Sequence, residues 1–372
     1  MSAPIRHGGA PVHRLERLRQ AMESNGWDAV VASGAGHVAH LAGYARYHSG
    51  PAAVMVDRDG RRTLFLPHTE AGTARIETGE IMGYGMPGFG LEPDADAALA
   101  AAVAERVAGL PRIGAAGAIA GRLDPRPESS EAVLATIRRQ KDPDELEGIL
   151  HAYELCWTGQ RAIAEGAAAG TAEIELFSAA QAAAQRAHGA PVEFVCDALA
   201  GRRTAEVCCP AAVAGPTAPA RGEPVLADVS LCAAGYWGDT AETHVTSEHD
   251  PAAGLRHGLL EILDEAAASL RPGRSGAAVF AELHRGIVAR FPDGEFPHHA
   301  GHGLGTAAHE PPHLVPTETA TLDEWQVIAL EPGVYLPGRI GARIEELYLV
   351  TGGGGVELRT VFGRPRGLAG SR

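Results

Sequence analysis

Apolar positions near the start of the chain fall at helical spacing: Leu15, Leu18 and Met22 lie three and four apart, and Gly26 ends the run. DAVVASG (28–34), AAVMVD (52–57) and RTLFLP (62–67) predict short strands. Asp59 and Gly60 between the last two predict a hairpin turn. An alanine-rich helix over 94–108 and another short strand complete a small α/β domain. The polar, proline-containing connector GRLDPRPESS (121–130) then sets the expected division into domains at 1–125 and 126–372.

Beyond the connector the pattern changes. DPDELEGILHAYELCWTGQRAIAEGA (142–167) predicts a long helix with an acidic first turn, which suits the helix dipole. TAEIELFSAAQAAAQRAHGA (171–190) predicts a second, with Thr171 as its N-cap. Strand-like segments, two more helices (about 252–270 and 276–290) and a closing pair of strands follow. Helix pairs set against mostly antiparallel strands predict an α+β fold for this larger domain.

A chain of 372 residues exceeds one compact core, in keeping with two domains. Its 46 acidic against 32 basic residues give a net charge of −14, which repels phosphate backbones and anionic lipid, so no nucleic-acid or membrane partner is expected. The cysteines (156, 196, 208, 209 and 232) show no CxxC spacing and read as free thiols. No apolar run approaches the ~18 residues of a membrane span, and MSAPIRHGGAPVHRLERLRQ has no secretory core, so a cytoplasmic protein is expected.

The chemistry is carried by acids in apolar places. EPVLADVSLCAAGYWGDTAETHVT (223–246) reads as two strands around a turn at Ala233 to Gly235. Whether the turn falls at 233–234 or one residue later, Asp228 and Asp239 share a face. Facing carboxylates need a cation or a shared proton between them, unless both lie on a solvated face. In WQVIALEPGVYLPGRIGARIEELYLV (325–350), Glu331 ends an apolar run, a costly place for an unpartnered carboxylate. Arg343 and Glu345 point the same way on the returning strand, as a site pair or as a surface ion pair.

FPHHAGHGLGTAAHEPPH (296–313) adds five histidines. His298 and His302 have i, i+4 spacing, but the surrounding glycines and proline rule out a zincin helix. Taken singly, each histidine reads as structural or surface. Four carboxylates and one imidazole gathered in one cavity, however, call for about two divalent cations. Mixed oxygen and imidazole donors suit manganese, cobalt, iron or zinc.

Together these residues resemble the creatinase, prolidase and aminopeptidase P family of "pita-bread" metallohydrolases. The resemblance is carried by Asp228 and Asp239, by PHHAGHGLGTAAHEPP (297–312), by LEPGVY (330–335) and by GARIEE (341–346), with RQKDPDELEGI (139–149) similar to the family's lead-in to its first catalytic helix. It implies a pita-bread catalytic domain preceded by a smaller creatinase-type α/β domain. It also implies two metal ions, manganese first among the four, held by Asp228, Asp239, His302, Glu331 and Glu345, with Asp239 and Glu345 bridging. The implied reaction is hydrolysis of the C–N bond of a small Xaa-Pro-like dipeptide or related amide in a homodimer. Glu331 would move the proton, His309 would steady the oxyanion, and His298, His309 and Arg343 would contact substrate. His299 and His313 receive no role.

The chain also departs from that pattern. Ala211 stands where the family usually has a histidine, Ser230 follows Asp228 in DVS where DxG is usual, and Thr240-Ala241-Glu242-Thr243 replaces I-T-R-T after Asp239. These changes keep a second reading open, in which the same fold and metals serve a non-peptidase hydrolysis or a lyase reaction. A third is a non-catalytic binding module.

Overall fold

The computed structural model describes residues 13–45, 50–76, 79–88, 92–206, 213–245, 250 and 252–367. The chain divides into two compact units between Arg138 and Arg139, past the connector at 121–130.

In the first unit, β1 (Ala29–Ser33), β2 (Ala53–Asp57), β3 (Arg62–Pro67), β4 (Glu80–Tyr84), β5 (Ile113–Ala116) and β6 (Glu128–Ser129) form one sheet in the order β4-β3-β2-β1-β5-β6. The predicted hairpin joins β2 and β3, with Gly60 at φ 77°. Alternate residues feed opposite cores: Val30, Ala32, Val54 and Val56 meet α1 (Arg14–Asn25), α2 (Ala35–Ala42) and α5 (Glu131–Arg139), while Ala29, Val31, Ala53 and Met55 meet α4 (Ala95–Val107). Burial on both faces explains why these strands are nearly continuous apolar runs. The short α3 (His68–Ala71) follows β3. α2, an eight-residue helix, escapes the sequence reading because it is shorter than the window over which helical periodicity shows.

The second unit is α+β, as predicted. α6 (Pro143–Ala168) starts with a capping box in which Asp142 and Glu145 satisfy each other's backbone N–H groups. α7 (Glu173–His188) differs at its start: its N-cap is Ala172, not Thr171. Glu173 turns inward, fully buried, where it accepts the N–H groups of Ala200 and Gly215 and pairs with Arg203.

Both helices cover one face of the sheet β7 (Glu193–Ala200), β8 (Val225–Ala233) and β9 (Tyr236–His244). Val225, Ala227, Val229, Leu231 and Ala233 point at the helices, so Asp228 and Ser230 point away from them. The β8–β9 turn is the later of the two possibilities, Ala234 and Gly235 at φ 52° and 87°, the hand a two-residue hairpin requires. Cys156 and Cys196 are buried in this core, Cys232 is half-buried, and Cys208 and Cys209 lie outside the described residues.

After α8 (Ala252–Ser269) and α9 (Gly276–Arg290), β10 (Gly301–Gly303), β11 (Glu310–His313), β12 (Val327–Leu330), β15 (Glu346–Thr351) and β16 (Gly354–Glu357) form a second sheet in the order β11-β10-β12-β15-β16. β13 (Gly333–Leu336) and β14 (Ile340–Arg343) pair as a hairpin. Gly301, at φ 146°, lets β10 reach β12: a Cβ there would stand 1.9 Å from the Ala329 carbonyl oxygen. Among the described residues no helix is long and apolar enough to cross a membrane.

Glu242, at the position where the resemblance leads one to expect a cation, is buried on β9. Arg256 of α8 meets it with two parallel bonds of 2.7 and 2.8 Å. The charge is therefore exchanged rather than left uncompensated. Arg256→Ala, which removes the guanidinium from the buried carboxylate, is expected to cost about 3–5 kcal/mol in urea unfolding, while a Glu242→Gln/Arg256→Met pair costs clearly less.

Candidate metal centre

β8, β9, the end of β12 and the junction of β14 with β15 converge on one point. Two backbone connections hold the junction against β9: the Glu345 N–H donates to the Ala241 carbonyl at 2.8 Å, and the Thr243 hydroxyl both donates to and accepts from the Arg343 backbone at 2.9 Å. Glu331, just past β12, is fixed by its N–H to the Ala300 carbonyl at 3.1 Å. His302 lies in the middle of its sheet, between Ala329 of β12 and His313 of β11.

Donor atoms of Asp228, Asp239 and Glu345 lie within 4.8 Å of one another, as do those of His302, Glu331 and Glu345, and those of Asp239, His302 and His309. The triplets overlap: Glu345 belongs to two of them, as do Asp239 and His302. His302 Nδ1 faces the Gly303 carbonyl oxygen at 2.9 Å, which assigns its proton there and leaves Nε2 as a lone pair. That Nε2 is 3.7 Å from Glu331, 3.9 Å from Asp239 and 4.0 Å from Glu345. These separations are too long for hydrogen bonds, and they suit donors around an ion that sits roughly 2.0–2.2 Å from each.

Asp239 Oδ1 and Glu345 Oε1 are buried without a hydrogen-bond partner, a costly state for carboxylate oxygens that a divalent cation relieves. The residues therefore fit a metal. The Ser230 side chain hydrogen-bonds Asp239, so a hydroxyl reaches this ligand from the neighbouring strand although position 241 is alanine.

The electrostatics follow from burial. Burial and then the neighbouring acids Asp228 and Glu331 push Asp239 far above the usual carboxylate range, and Glu345 rises likewise from burial and then Asp239. Burial raises Asp228 to about 6 despite the Arg343 guanidinium 2.7 Å away. Burial lowers His302 to about 4 and keeps it a neutral donor. Glu331 goes the other way: burial opposes its ionisation, but the His299 hydrogen bond and the field of the histidines outweigh it and bring it down to about 2.

The remaining predicted residues surround this point. The exposed His309 ring stacks on His302, with centroids 3.9 Å apart. His298, with its ring against Phe296, is 3.0 Å from the Tyr335 hydroxyl through Nε2 and 3.7 Å from Glu331 through Nδ1. Arg343 Nη1 is 3.5 Å from the same hydroxyl. His313 keeps a ring contact with His309 at 6.3 Å. Ala211 lies outside the described residues.

Three residues beside the centre receive no role from the sequence. His299 holds Nδ1 2.8 Å from Glu331 Oε1. Lys141 and Glu310 form a fully buried pair at 2.9 Å beneath the loop that carries His309. A lysine next to the α6 capping residues and a glutamate after His309 give no periodic signal that would join them.

A two-sheet unit with a buried acid and histidine centre, joined to a separate α/β unit, defines a metallopeptidase class. Residues 147–352 match metallopeptidase family M24, residues 14–120 match the creatinase/prolidase N-terminal domain, and the chain belongs to this family, with its pita-bread catalytic domain. It is 34% identical over 140 residues to a protein of Mycobacterium tuberculosis described as "Probable dipeptidase PepE", a match that spans only 37% of either chain. It is 26% identical over 336 residues to an uncharacterized peptidase of Staphylococcus aureus, covering 86% of this chain and 90% of that one. In fold it is similar to the prolidase from Pyrococcus furiosus, with a TM-score of 0.74 at 23% identity over 91% of this chain and 98% of that one.

The raised carboxylates give a signed expectation. Burial and the neighbouring acids raise Asp228, Asp239 and Glu345, so metal uptake competes with protons at these carboxylates, releases them, and rises in affinity as pH rises, through about 6 for Asp228. Calorimetric titration with manganese in buffers of different ionisation enthalpy measures the number released. Zero release at pH 6 would contradict the assignment of these acids as ligands.

Proposed function

We propose that this protein is a dinuclear metal-dependent hydrolase that cleaves the C–N bond of a small Xaa-Pro-like dipeptide or related amide. The observation that carries the proposal is the overlap of donor triplets around Asp239, Glu345 and His302, with two buried carboxylate oxygens that have no hydrogen-bond partner. Asp228, Asp239, His302, Glu331 and Glu345 would hold the ions. Manganese is the first expectation among manganese, cobalt, iron and zinc. Such ions, when bound, supply Lewis acidity toward the scissile carbonyl and acidify a water.

The chain's own groups do the rest. Glu331 accepts the proton of the attacking water and returns it to the leaving nitrogen, a base-then-acid role that requires it to be ionised at rest, as its depressed pKa provides. His299, 2.8 Å away, keeps that carboxylate oriented between turnovers. His309, exposed at the mouth, donates to the oxyanion of the tetrahedral state. His298, Tyr335 and Arg343 form one connected wall on the leaving-group side.

Turnover of a panel of Xaa-Pro dipeptides by manganese-loaded protein tests this reading, with Asp239→Asn and Glu345→Gln expected to abolish both metal retention and activity. Two bound ions without cleavage of any peptide or amide in the panel would shift the reading to another reaction on the same centre. His309→Ala is expected to retain metal while lowering kcat by about 10²–10³. Loss of metal from that variant, measured by elemental analysis, would make His309 a ligand instead.

A further inference from the structure

Asp197 belongs to none of the motifs above, yet it stands inside the site. On β7 it is directly opposite Asp228 in the antiparallel register, so both carboxylates leave the sheet on the face turned away from α6 and α7. Its side chain is 8% exposed. Two like charges directly across a strand pair repel one another unless a cation comes between them. The cation is Arg343, whose Nη2 lies 2.7 Å from Asp228 Oδ2 and 3.8 Å from Asp197 Oδ2. Its Nη1 faces the Tyr335 hydroxyl, its backbone is hooked by Thr243, and the residue is 2% exposed.

An arginine on the leaving-group wall would be the natural receptor for a substrate carboxylate, as a planar fork of donors. Here that charge is already met. If metal binding draws on Asp228, Asp197 remains beside the guanidinium as a second anion. Asp197, Asp228, Asp239, Glu331 and Glu345 set five carboxylates against one guanidinium, an excess that two divalent ions only just balance. A further carboxylate arriving at Arg343 would meet Asp197 as a like charge.

We infer that Asp197 determines specificity: by neutralising Arg343 it selects substrates whose leaving portion is uncharged at that end, as in a peptide amide, over dipeptides ending in a free α-carboxylate. The inference rests on the proposal that Arg343 lines the leaving-group side.

The test compares Ala-Pro with its C-terminal amide on manganese-loaded protein. The wild type is expected to favour the amide in kcat/KM by roughly tenfold or more, since juxtaposed like charges oppose binding strongly. Asp197→Asn, checked for unchanged thermal unfolding, is expected to lower that ratio about tenfold, mainly through KM for the acid. Asp197→Glu, which keeps the charge, is expected to retain the wild-type preference. A wild-type preference for the free acid, or a ratio that does not move in Asp197→Asn, overturns the inference. Calorimetric binding of proline and prolinamide to the same proteins supplies a readout independent of turnover: tighter binding of prolinamide to the wild type, lost in Asp197→Asn, supports the inference, and equal affinities overturn it. If neither dipeptide is cleaved, the hydrolase proposal fails and the affinity ratio alone decides the role of Asp197.

Discussion

The mutual repulsion of buried carboxylates is the constraint on which this structure depends. Asp239, Glu331 and Glu345 are almost wholly removed from water, and each raises the cost of ionising its neighbours. Nothing in the local preferences of these segments would bring them together. They are brought together because each sits at a backbone position fixed by pairing: Glu345 through Ala241, Glu331 through Ala300, and His302 between two strands. The apolar cores on the far side of β7 and β8 supply the stability that such an arrangement consumes.

Three other buried acids have a cation of their own. Glu310 has Lys141, Glu242 has Arg256, and Glu346, the residue next to Glu345, has Arg366. These three pairs belong to the scaffold, whereas Asp239 and Glu345 each keep a carboxylate oxygen without a hydrogen bond at the centre. The division is sharpest at the Glu345 and Glu346 pair, since successive residues point to opposite sides of the chain. One carboxylate is anchored behind the sheet by an arginine and a tyrosine, while the other keeps an oxygen without a hydrogen bond at the centre.

Much of this was legible in the sequence, because period and turn chemistry are local. The Asp-Gly hairpin, the long helices and the common face of Asp228 and Asp239 all follow from spacing along short segments. Where the reading fell short, the missing information was spatial. Thr171 looks like an N-cap until the buried Glu173, tied to Ala200 and Arg203, fixes where the helix begins. His299 is adjacent to His298 in sequence, and only the fold brings its Nδ1 against Glu331. Asp197 sits in an ordinary strand sequence, and its register with Asp228 is set by β7 pairing across a long separation.

The positions proposed to set substrate choice are separable from those proposed to hold metal. Asp228, Asp239 and His302 lie within strands, and Glu331 and Glu345 just outside them, so a shift of one residue would turn any of these side chains away from the centre. Asp197 and Ser230 also lie on strand interiors facing the site, where a change of side chain alters charge or hydroxyl supply without moving the backbone. Arg343 joins the two sets. Its backbone is locked by Thr243 as part of the framework that presents Glu345, while its guanidinium takes the charge state that Asp228 and Asp197 leave it. A fold that fixes Arg343 this firmly leaves its surroundings as the variable part, and on the specificity inference drawn above the opposed strand β7 supplies the variation through Asp197.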